Sequence, residues 1–207
     1  MKNSRVAGTT VLRPRTSVWF TGVAVLVALG GLATVVVEQG PAGLIAGWPL
    51  VGVAYAGWWL FWYPVVVFTE DAVTLRNPLA TIRVPWSALI DVDTKYALKL
   101  VTPSGAYTAW AAPAPGVWGT HAGKPEHVRN LPSTSYGPGG SIRPGDLKNT
   151  DSGYAAYEVR TRWQALVESG RIDVDHPGGV RRRWNWPCIA VAVLLVAAGT
   201  VPPALGS

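Results

Sequence analysis

The chain has 207 residues, a formal net charge of +6, only 14% charged residues and 11 tryptophans. Long uncharged stretches with aromatic ends exclude an ordinary soluble composition and predict a membrane protein. In such a protein an excess of Lys and Arg first suggests cytoplasmic flanks, and nucleic acid only second. The single cysteine, Cys188, excludes an intrachain disulfide.

The N-terminal part contains two predicted membrane spans. Residues 1–17 hold four basic residues and no acid, and we expect a flexible basic tail in the cytoplasm. Residues 18–37 carry no charge and, at about 1.5 Å per residue, can cross ~30 Å of hydrocarbon. A cleaved signal peptide is the alternative, but the run is long and no small-x-small cleavage site follows it. Residues 43–63 form a second uncharged span that ends in aromatic residues, as at a membrane interface.

The connection between these two spans is very short, which predicts an antiparallel helical hairpin. Glycines recur along both spans and would permit close packing of the two helices.

The C-terminal part contains a third predicted span over residues 186–205. It follows a basic linker, residues 171–185, that contains Arg181, Arg182 and Arg183. Because basic residues precede the first and third spans, the positive-inside rule predicts a cytoplasmic N-terminus and middle region and an external C-terminus. The three arginines are either a topology signal alone or also contacts for anionic lipid, worth about 1 kcal/mol per basic residue near the surface.

The region between the second and third spans, residues 64–170, is predicted to be a separate domain. In its first half, short β-rich runs alternate with turn signals and indicate six strands. Residues 113–150 are rich in Gly and Pro and predict a flexible insert. Asp151 or Ser152 can then cap an amphipathic helix that Gly170 ends, and this helix needs the open end of the strands to cover. Its polar face is expected to carry Glu158, Arg160, Arg162 and Glu168.

The dipeptide Asn77-Pro78 divides two of the strands and predicts a β-hairpin. The expected cross-strand partners are Leu75 with Ile82 and Thr74 with Arg83. Arg76 and Arg83 then lie diagonally on the polar face, and neither strand contains an acid. These two arginines are candidate contacts for a membrane surface or a partner, and a solvated sheet face is the alternative.

A family resemblance rests on the segment RNPLATIRVPWSALIDVD, which contains the pattern VPW-x-x-(L/I)-x-x-V from Val84 to Val92. A strand pair around PSG and one amphipathic helix follow it. With two preceding spans, this order resembles the bacterial pleckstrin-homology-like (PH-like) domain of small membrane proteins, of the type named for low-molecular-weight protein antigen 6. The resemblance implies an α+β fold of two orthogonal antiparallel sheets closed at one end by the helix. Since that fold usually has seven strands, the seventh is expected in the insert near Val117 and Trp118.

The residues offer no catalytic constellation. Lipid-binding PH domains hold phosphates with basic residues around the first hairpin, whereas the corresponding turn here is Glu70-Asp71, so we expect no phosphoinositide site of that kind. The loop histidines lack metal-ligand spacing. Asp91 and Asp93 lack an accompanying base, nucleophile or phosphate loop. We therefore expect neither an enzyme nor a bound cofactor or metal.

The sequence thus predicts a non-enzymatic integral protein of the cell membrane that presents a cytoplasmic PH-like domain for protein–protein or membrane-surface interaction. Its expected partners are the lipid bilayer and another membrane or envelope protein. A homo-oligomer is a further option, and nucleic acid is not expected. The alternative is an accessory or regulatory subunit of a membrane complex or small transporter in which the helices carry the function. Against it, the spans contain no ionisable residue of the kind that transport sites use.

Overall fold

The computed structural model describes residues 2–6, 8–115, 144–147 and 149–200, with the first of these ranges described by its backbone alone. The chain divides into two compact units, and each unit is built from two separate stretches. The first unit comprises Met1–Arg15 and Pro64–Arg183, and the second comprises Thr16–Tyr63 and Trp184–Ser207.

The first unit contains two antiparallel sheets. Runs of Val, Ile, Leu and Thr form the strands because β-branched and bulky apolar side chains favour the pleated surface. The larger sheet contains β1 (Lys2–Val6), β2 (Thr9–Arg13), β3 (Val65–Phe68), β4 (Ala72–Arg76), β5 (Ala80–Pro85) and β9 (Arg181–Trp184). The smaller sheet contains β6 (Asp91–Asp93), β7 (Ala97–Thr102) and β8 (Gly105–Pro113). Their strand orders are β1-β2-β3-β4-β5-β9 and β6-β7-β8.

The helices belong to both units. In chain order they are α1 (Thr16–Gln39), α2 (Gly43–Ala46), α3 (Trp48–Gly57), α4 (Asp151–Glu168) and α5 (Trp186–Thr200). Of these helices in the described part of the chain, α4 is the one that lies in the first unit.

The N-terminal strands correct the prediction of a flexible tail over residues 1–17. β2 pairs antiparallel with β3, which places Leu12 opposite Val66. The Leu12 side chain is completely buried in the core of the first unit. β2 is a strand that the sequence count lacked, and within the described residues β2 to β8 make seven strands. The site predicted for the seventh strand, Val117 and Trp118, lies outside the described residues.

The hairpin predicted at Asn77-Pro78 is confirmed. β4 and β5 pair in antiparallel register, and the Asn77 N–H donates to the Ala80 carbonyl at 3.0 Å. The observed partners include Leu75 with Ile82 and Thr74 with Arg83, as predicted. In this register the side chains of Leu75 and Ile82 point into the core, and those of Arg76 and Arg83 lie on the opposite face.

Asn77 also joins the two sheets. Its Nδ2 donates to the Thr108 carbonyl at 2.8 Å, and its Oδ1 accepts the Trp110 N–H at 2.9 Å. One amide side chain thus pairs with the backbone of β8 in the way that a neighbouring strand would. The turn between β4 and β5 is held against the smaller sheet as a result.

The core lies between the sheets and is completed by α4. Trp86 is buried and donates its Nε1–H to the Thr69 carbonyl at 3.1 Å. The predicted covering of the strands by the helix is confirmed, since Ala155 and Val159 of α4 are fully buried in the same cluster. Other members of this core are Val66, Phe68, Val73, Leu75, Val84, Leu98 and Leu100.

The ends of α4 follow ordinary capping chemistry. The N-cap is Thr150, whose Oγ1 accepts the Gly153 N–H at 3.0 Å, and not Asp151 or Ser152 as predicted. Thr150 has the extended backbone that an N-cap requires, whereas the two following residues are already helical. The predicted end of the helix at Gly170 is confirmed. Gly170 has a φ of +64°, and the N–H groups of Gly170 and Arg171 donate back to carbonyl groups of the last helical turn, which makes this end a Schellman motif.

The polar face predicted for α4 is wrong at two positions. Arg160 turns inward and pairs through Nη1 with the Asp146 carboxylate at 2.7 Å, while its Nη2 donates to the Val92 carbonyl at 2.8 Å. The side chains of this pair are 11% and 4% exposed. Arg162 donates to Thr10 Oγ1 at 2.6 Å, so it connects the helix to β2.

The second unit consists of apolar helices that pack at glycines. A Cβ atom on Gly57 would collide with Ala24 of α1, and one on Gly47 would collide with Leu32. The predicted role of glycine in close packing is confirmed at these two positions. It is not observed at Gly52, where an added Cβ meets nothing within 4 Å.

The second predicted span is not one regular helix. Over residues 43–63 the chain forms α2, α3 and a π-helical turn, Trp58–Trp62. Among the described residues one helical stretch, Thr16–Ala46, is long and apolar enough to cross a membrane, and Trp186–Ala198 is a shorter apolar helix. The arrangement of three spans therefore stays a prediction.

The pairing of β2 with β3 predicts that residues 14–64 can be replaced by a tight turn. An Asn-Gly dipeptide between Arg13 and Val65 suits the type I′ turn of a two-residue hairpin. We expect this shortened chain, ending at Arg183, to be soluble without detergent and to unfold cooperatively in urea, as followed by near-ultraviolet circular dichroism. The matched control starts at Val65, lacks β2, and should lose cooperative unfolding. Equal cooperativity of the two proteins would contradict the place of β2 in the sheet.

The buried ion pair between Asp146 and Arg160 should contribute strongly to stability. Asp146→Ala removes the acceptor of both Arg160 and Thr94 and leaves a buried positive charge. We expect the free energy of unfolding, measured by urea titration of the shortened chain, to fall by about 3–5 kcal/mol. The control is Asp93→Ala, which breaks the more exposed pair with Lys99 and should cost about 1 kcal/mol or less. Similar losses for both variants would contradict the assignment.

Candidate functional site

Charge is segregated between the two sheets of the first unit. Every charged residue on the six strands of the larger sheet is basic. Acidic residues lie instead on the β3–β4 turn, at Glu70 and Asp71, and on β6. The basic residues of the larger sheet are Lys2, Arg5, Arg13, Arg76, Arg83, Arg181, Arg182 and Arg183.

Strand alternation places the central arginines on the side of the sheet away from the core. On β4 the buried core residues are Val73 and Leu75, so Arg76 points to the opposite face. The same alternation applies to Arg83 on β5 and to Arg13 on β2. We call the outward side of β2, β4 and β5, with its three arginines, the arginine face.

Arg13 and Arg76 form the closest pair on the arginine face. The register places Leu12 opposite Val66 and Val65 opposite Arg76, so the two arginines flank Val65 across three neighbouring strands. Strands in a sheet are ~4.8 Å apart, which puts the two Cα atoms roughly 10 Å apart. Burial lowers the pKa of the Arg13 guanidinium, and the positive charge of Arg76 lowers that pKa further. An anion bound between the two would offset their repulsion.

The surroundings of Arg83 differ from those of Arg13 and Arg76. The register confirms that Arg76 and Arg83 lie diagonally across β4 and β5, as predicted. The Arg83 Nη2 lies 3.8 Å from the Asp71 carboxylate, and both side chains are exposed. An ion pair of this kind is weak. Even so, the acidic neighbour offsets part of the charge of Arg83.

The arginine cluster before α5 is part of the sheet. Arg181, Arg182 and Arg183 lie on β9, which is hydrogen-bonded to β5, and all four residues of this strand are exposed. The prediction of a basic linker over residues 171–185 is corrected for this segment. Its arginines therefore extend the basic sheet by one strand.

Sequence reasoning missed Arg13 because residues 1–17 were interpreted as a tail. The signal that could have found it is local. Gly8 has a φ of +78° at the turn, and a β-branched run from Thr9 to Val11 follows it. A glycine turn between two short β-rich runs predicts a hairpin, which would have placed Arg13 on a strand.

The arrangement is suited to binding anions and shows no catalytic geometry. Among the residues that the structure describes, no three His, Cys, Asp or Glu side chains gather as metal ligands. Asp93 pairs with Lys99 at 3.4 Å, and Asp91 is exposed beside it. The two predicted loop histidines lie outside the described residues.

Residues 64–125 match the family model described as Bacterial PH domain. The match begins at the start of β3, so it leaves out β2, and it covers less than a third of the chain. No curated protein and no solved structure matches the chain. With the two antiparallel sheets and the covering helix, this match identifies the first unit as a PH-like sandwich.

Proposed function

We propose that this chain is an integral membrane protein whose helices hold a cytoplasmic PH-like domain at the inner membrane surface. The domain's role is to interact with that surface or with a protein bound to it. One observation carries the proposal: the strands on either side of the helical segment, β2 and β3, are neighbours in one sheet.

This pairing constrains how the helices can cross a bilayer. Two paired strands must lie on the same side of a membrane, so the segment between them, residues 14–64, can cross it only an even number of times. The stretch contains one long apolar helix and a second apolar helical stretch with an aromatic end, which fits two crossings. β9 belongs to the same sheet and therefore to the same side, and α5 follows it as a candidate third crossing.

The surface of the helices also supports a bilayer environment. Soluble proteins rarely expose apolar patches larger than a few hundred Å². Here large apolar side chains are exposed along all the longer helices of the second unit. Among the most exposed are Trp19, Leu26, Val37, Ile45, Leu194 and Val196.

The orientation is supported by the basic sheet. Arginines precede both α1 and α5 closely in the chain, and the short connection after α1 has no basic residue. Lys and Arg next to membrane spans favour the cytoplasmic side. The type named for low-molecular-weight protein antigen 6 remains part of this proposal, because the family match extends only to the bacterial PH domain.

A binding role is proposed in preference to catalysis because the match is to a domain of an interaction class and the arginine face offers charge without a nucleophile or base. A helix-based function, as a subunit of a complex or a transporter, has less support. The described spans of α1, α3 and α5 carry no charged residue except Glu38 near the end of α1.

The topology predicts which positions a membrane-impermeant maleimide can reach in intact cells. In a Cys188→Ser background, Gln39→Cys, at the C-terminal end of α1, should be labelled without lysis. Glu70→Cys, in the β3–β4 turn, should be labelled only after lysis. Labelling of Glu70→Cys in intact cells would contradict a cytoplasmic domain. Release of the protein from membranes by alkaline carbonate would contradict the spanning helices.

The different surroundings of the two central arginines predict different effects on membrane-surface binding. In the shortened chain, Arg76→Glu should weaken sedimentation with phosphatidylglycerol vesicles by roughly 30-fold, since it changes the charge by two units and each unit near an anionic surface contributes about 1 kcal/mol. The matched variant Arg83→Glu should weaken binding less, because Asp71 already offsets that charge. High salt should abolish both differences. Equal effects, or none, would argue against the arginine face and for a protein partner.

A further inference from the structure

Two large apolar side chains are exposed beside the β4–β5 turn. Leu79, in the turn itself, is 53% exposed, and Trp110 of β8 is 55% exposed. Asn77 begins the turn that contains Leu79, and its side chain accepts the Trp110 N–H, so it links this turn to the Trp110 backbone. We call Leu79 and Trp110 the apolar tip.

The strand register fixes which end of the larger sheet carries the apolar tip. Arg76, directly before the turn, lies opposite Val65, the first residue of β3. Val65 follows the π-helical turn, Trp58–Trp62, by three residues, and Arg13 precedes α1 by three residues. Both points are therefore only a few residues along the chain from an apolar helical segment. The apolar tip is therefore at the end of the sheet where the chain enters and leaves the apolar helices.

The sign of the charge differs between the two ends of these strands. Arg13 and Arg76 lie at the end that carries the apolar tip, whereas Glu70 and Asp71 lie in the β3–β4 turn at the opposite end. An anionic surface would attract the first end and repel the second. Apolar residues with a tryptophan, next to arginines, have the composition of a segment that lies in the headgroup region of a membrane.

We propose that the apolar tip enters the headgroup region of an anionic bilayer, with Arg13 and Arg76 binding lipid phosphates beside it. This inference rests on the proposed membrane anchoring and adds a specific orientation of the PH-like domain. The domain lies with its β4–β5 turn in the membrane surface and its acidic β3–β4 turn in water. The Asn77 side chain ties the β4–β5 turn to β8, which restricts movement of the turn relative to Trp110.

The test uses the full chain with Cys188→Ser, reconstituted into vesicles of phosphatidylcholine with or without phosphatidylglycerol. An environment-sensitive nitrobenzoxadiazole probe is attached at Leu79→Cys. The matched control is Ile90→Cys, which replaces an apolar side chain of similar exposure, 61%. Ile90 directly precedes β6. The pairing of β6 with β7 places it near the β7–β8 turn, which is roughly 15 Å along β8 from Trp110.

We expect the probe at residue 79 to be quenched by spin-labelled lipid and protected from aqueous iodide, and the probe at residue 90 to show the reverse. Adding Arg76→Gln should reduce the ratio of inserted to water-exposed probe about fivefold in vesicles that contain phosphatidylglycerol. Iodide quenching of residue 79 as strong as that of residue 90 would overturn the insertion. Insertion that is equal in both lipid compositions and unchanged by Arg76→Gln would overturn the phosphate assignment.

The failure of this inference can be told apart from failure of the proposed function. Protein that resists alkaline extraction from the vesicles, yet exposes residue 79 to iodide, is anchored without an inserted tip and overturns only the inference. Protein that alkaline carbonate extracts overturns the membrane anchoring itself. Near-ultraviolet circular dichroism identical to that of the Cys188→Ser parent ensures that neither labelled variant has lost its fold.

Discussion

The pairing of β2 with β3 is the constraint on which the rest of this structure depends. Leu12 and Val66 are opposite each other in the sheet although the whole of α1, α2, α3 and the π-helical turn lies between them in the chain. The helical segment is therefore an insertion into what would otherwise be a two-strand hairpin. Its two ends must return to within one strand spacing of each other, ~4.8 Å. This requirement favours helices that run antiparallel, and the glycines at positions 47 and 57 allow α1 to pack closely against the returning chain.

The same constraint affects the order in which the sandwich can form. A loop of this length costs little more to close than a short one, because closure entropy rises only with the logarithm of length. β2 nevertheless cannot pair with β3 until β3 has been synthesised. In the described structure its one other neighbouring strand is β1. The β3–β4 and β4–β5 hairpins are local and can form first. Leu12 is then added to a surface that these hairpins have already prepared.

Sequence reasoning could predict the parts of the fold that depend on neighbours in the chain. The register around Asn77, the helix end at Gly170 and the covering of the strands by α4 follow from local turn chemistry and periodicity. It failed where a distant partner decides the outcome. A short strand such as β2 is stabilised by its neighbour β3, and its own composition looked like that of a basic tail. Arg160 looked like a surface residue because its partner, Asp146, lies within residues 113–150, which were interpreted as a flexible insert.

The candidate site was only partly predictable for the same reason. Arg76 and Arg83 stand out in a hairpin without acids, so strand alternation alone placed them on one face. The structure was needed to tell the two arginines apart. Asp71 lies beside Arg83, whereas Arg13, which precedes the helical insertion in the chain, lies near Arg76. Leu79 and Trp110 are far apart in the sequence, and the link between their strands, through the Asn77 side chain and the β8 backbone, is visible only in the structure.

On the proposed topology, the covalent connections change what the domain needs from its surface. A free domain that binds a membrane must offset the loss of its translational freedom, which takes several basic or apolar contacts. A domain that is joined to spanning helices at β2, β3 and β9 is already at the membrane, so each further contact acts at a high effective concentration. Two arginines and two apolar side chains are then enough to select an orientation. Even a modest affinity of the isolated PH-like sandwich for an anionic surface would then be sufficient to turn one defined end toward the bilayer.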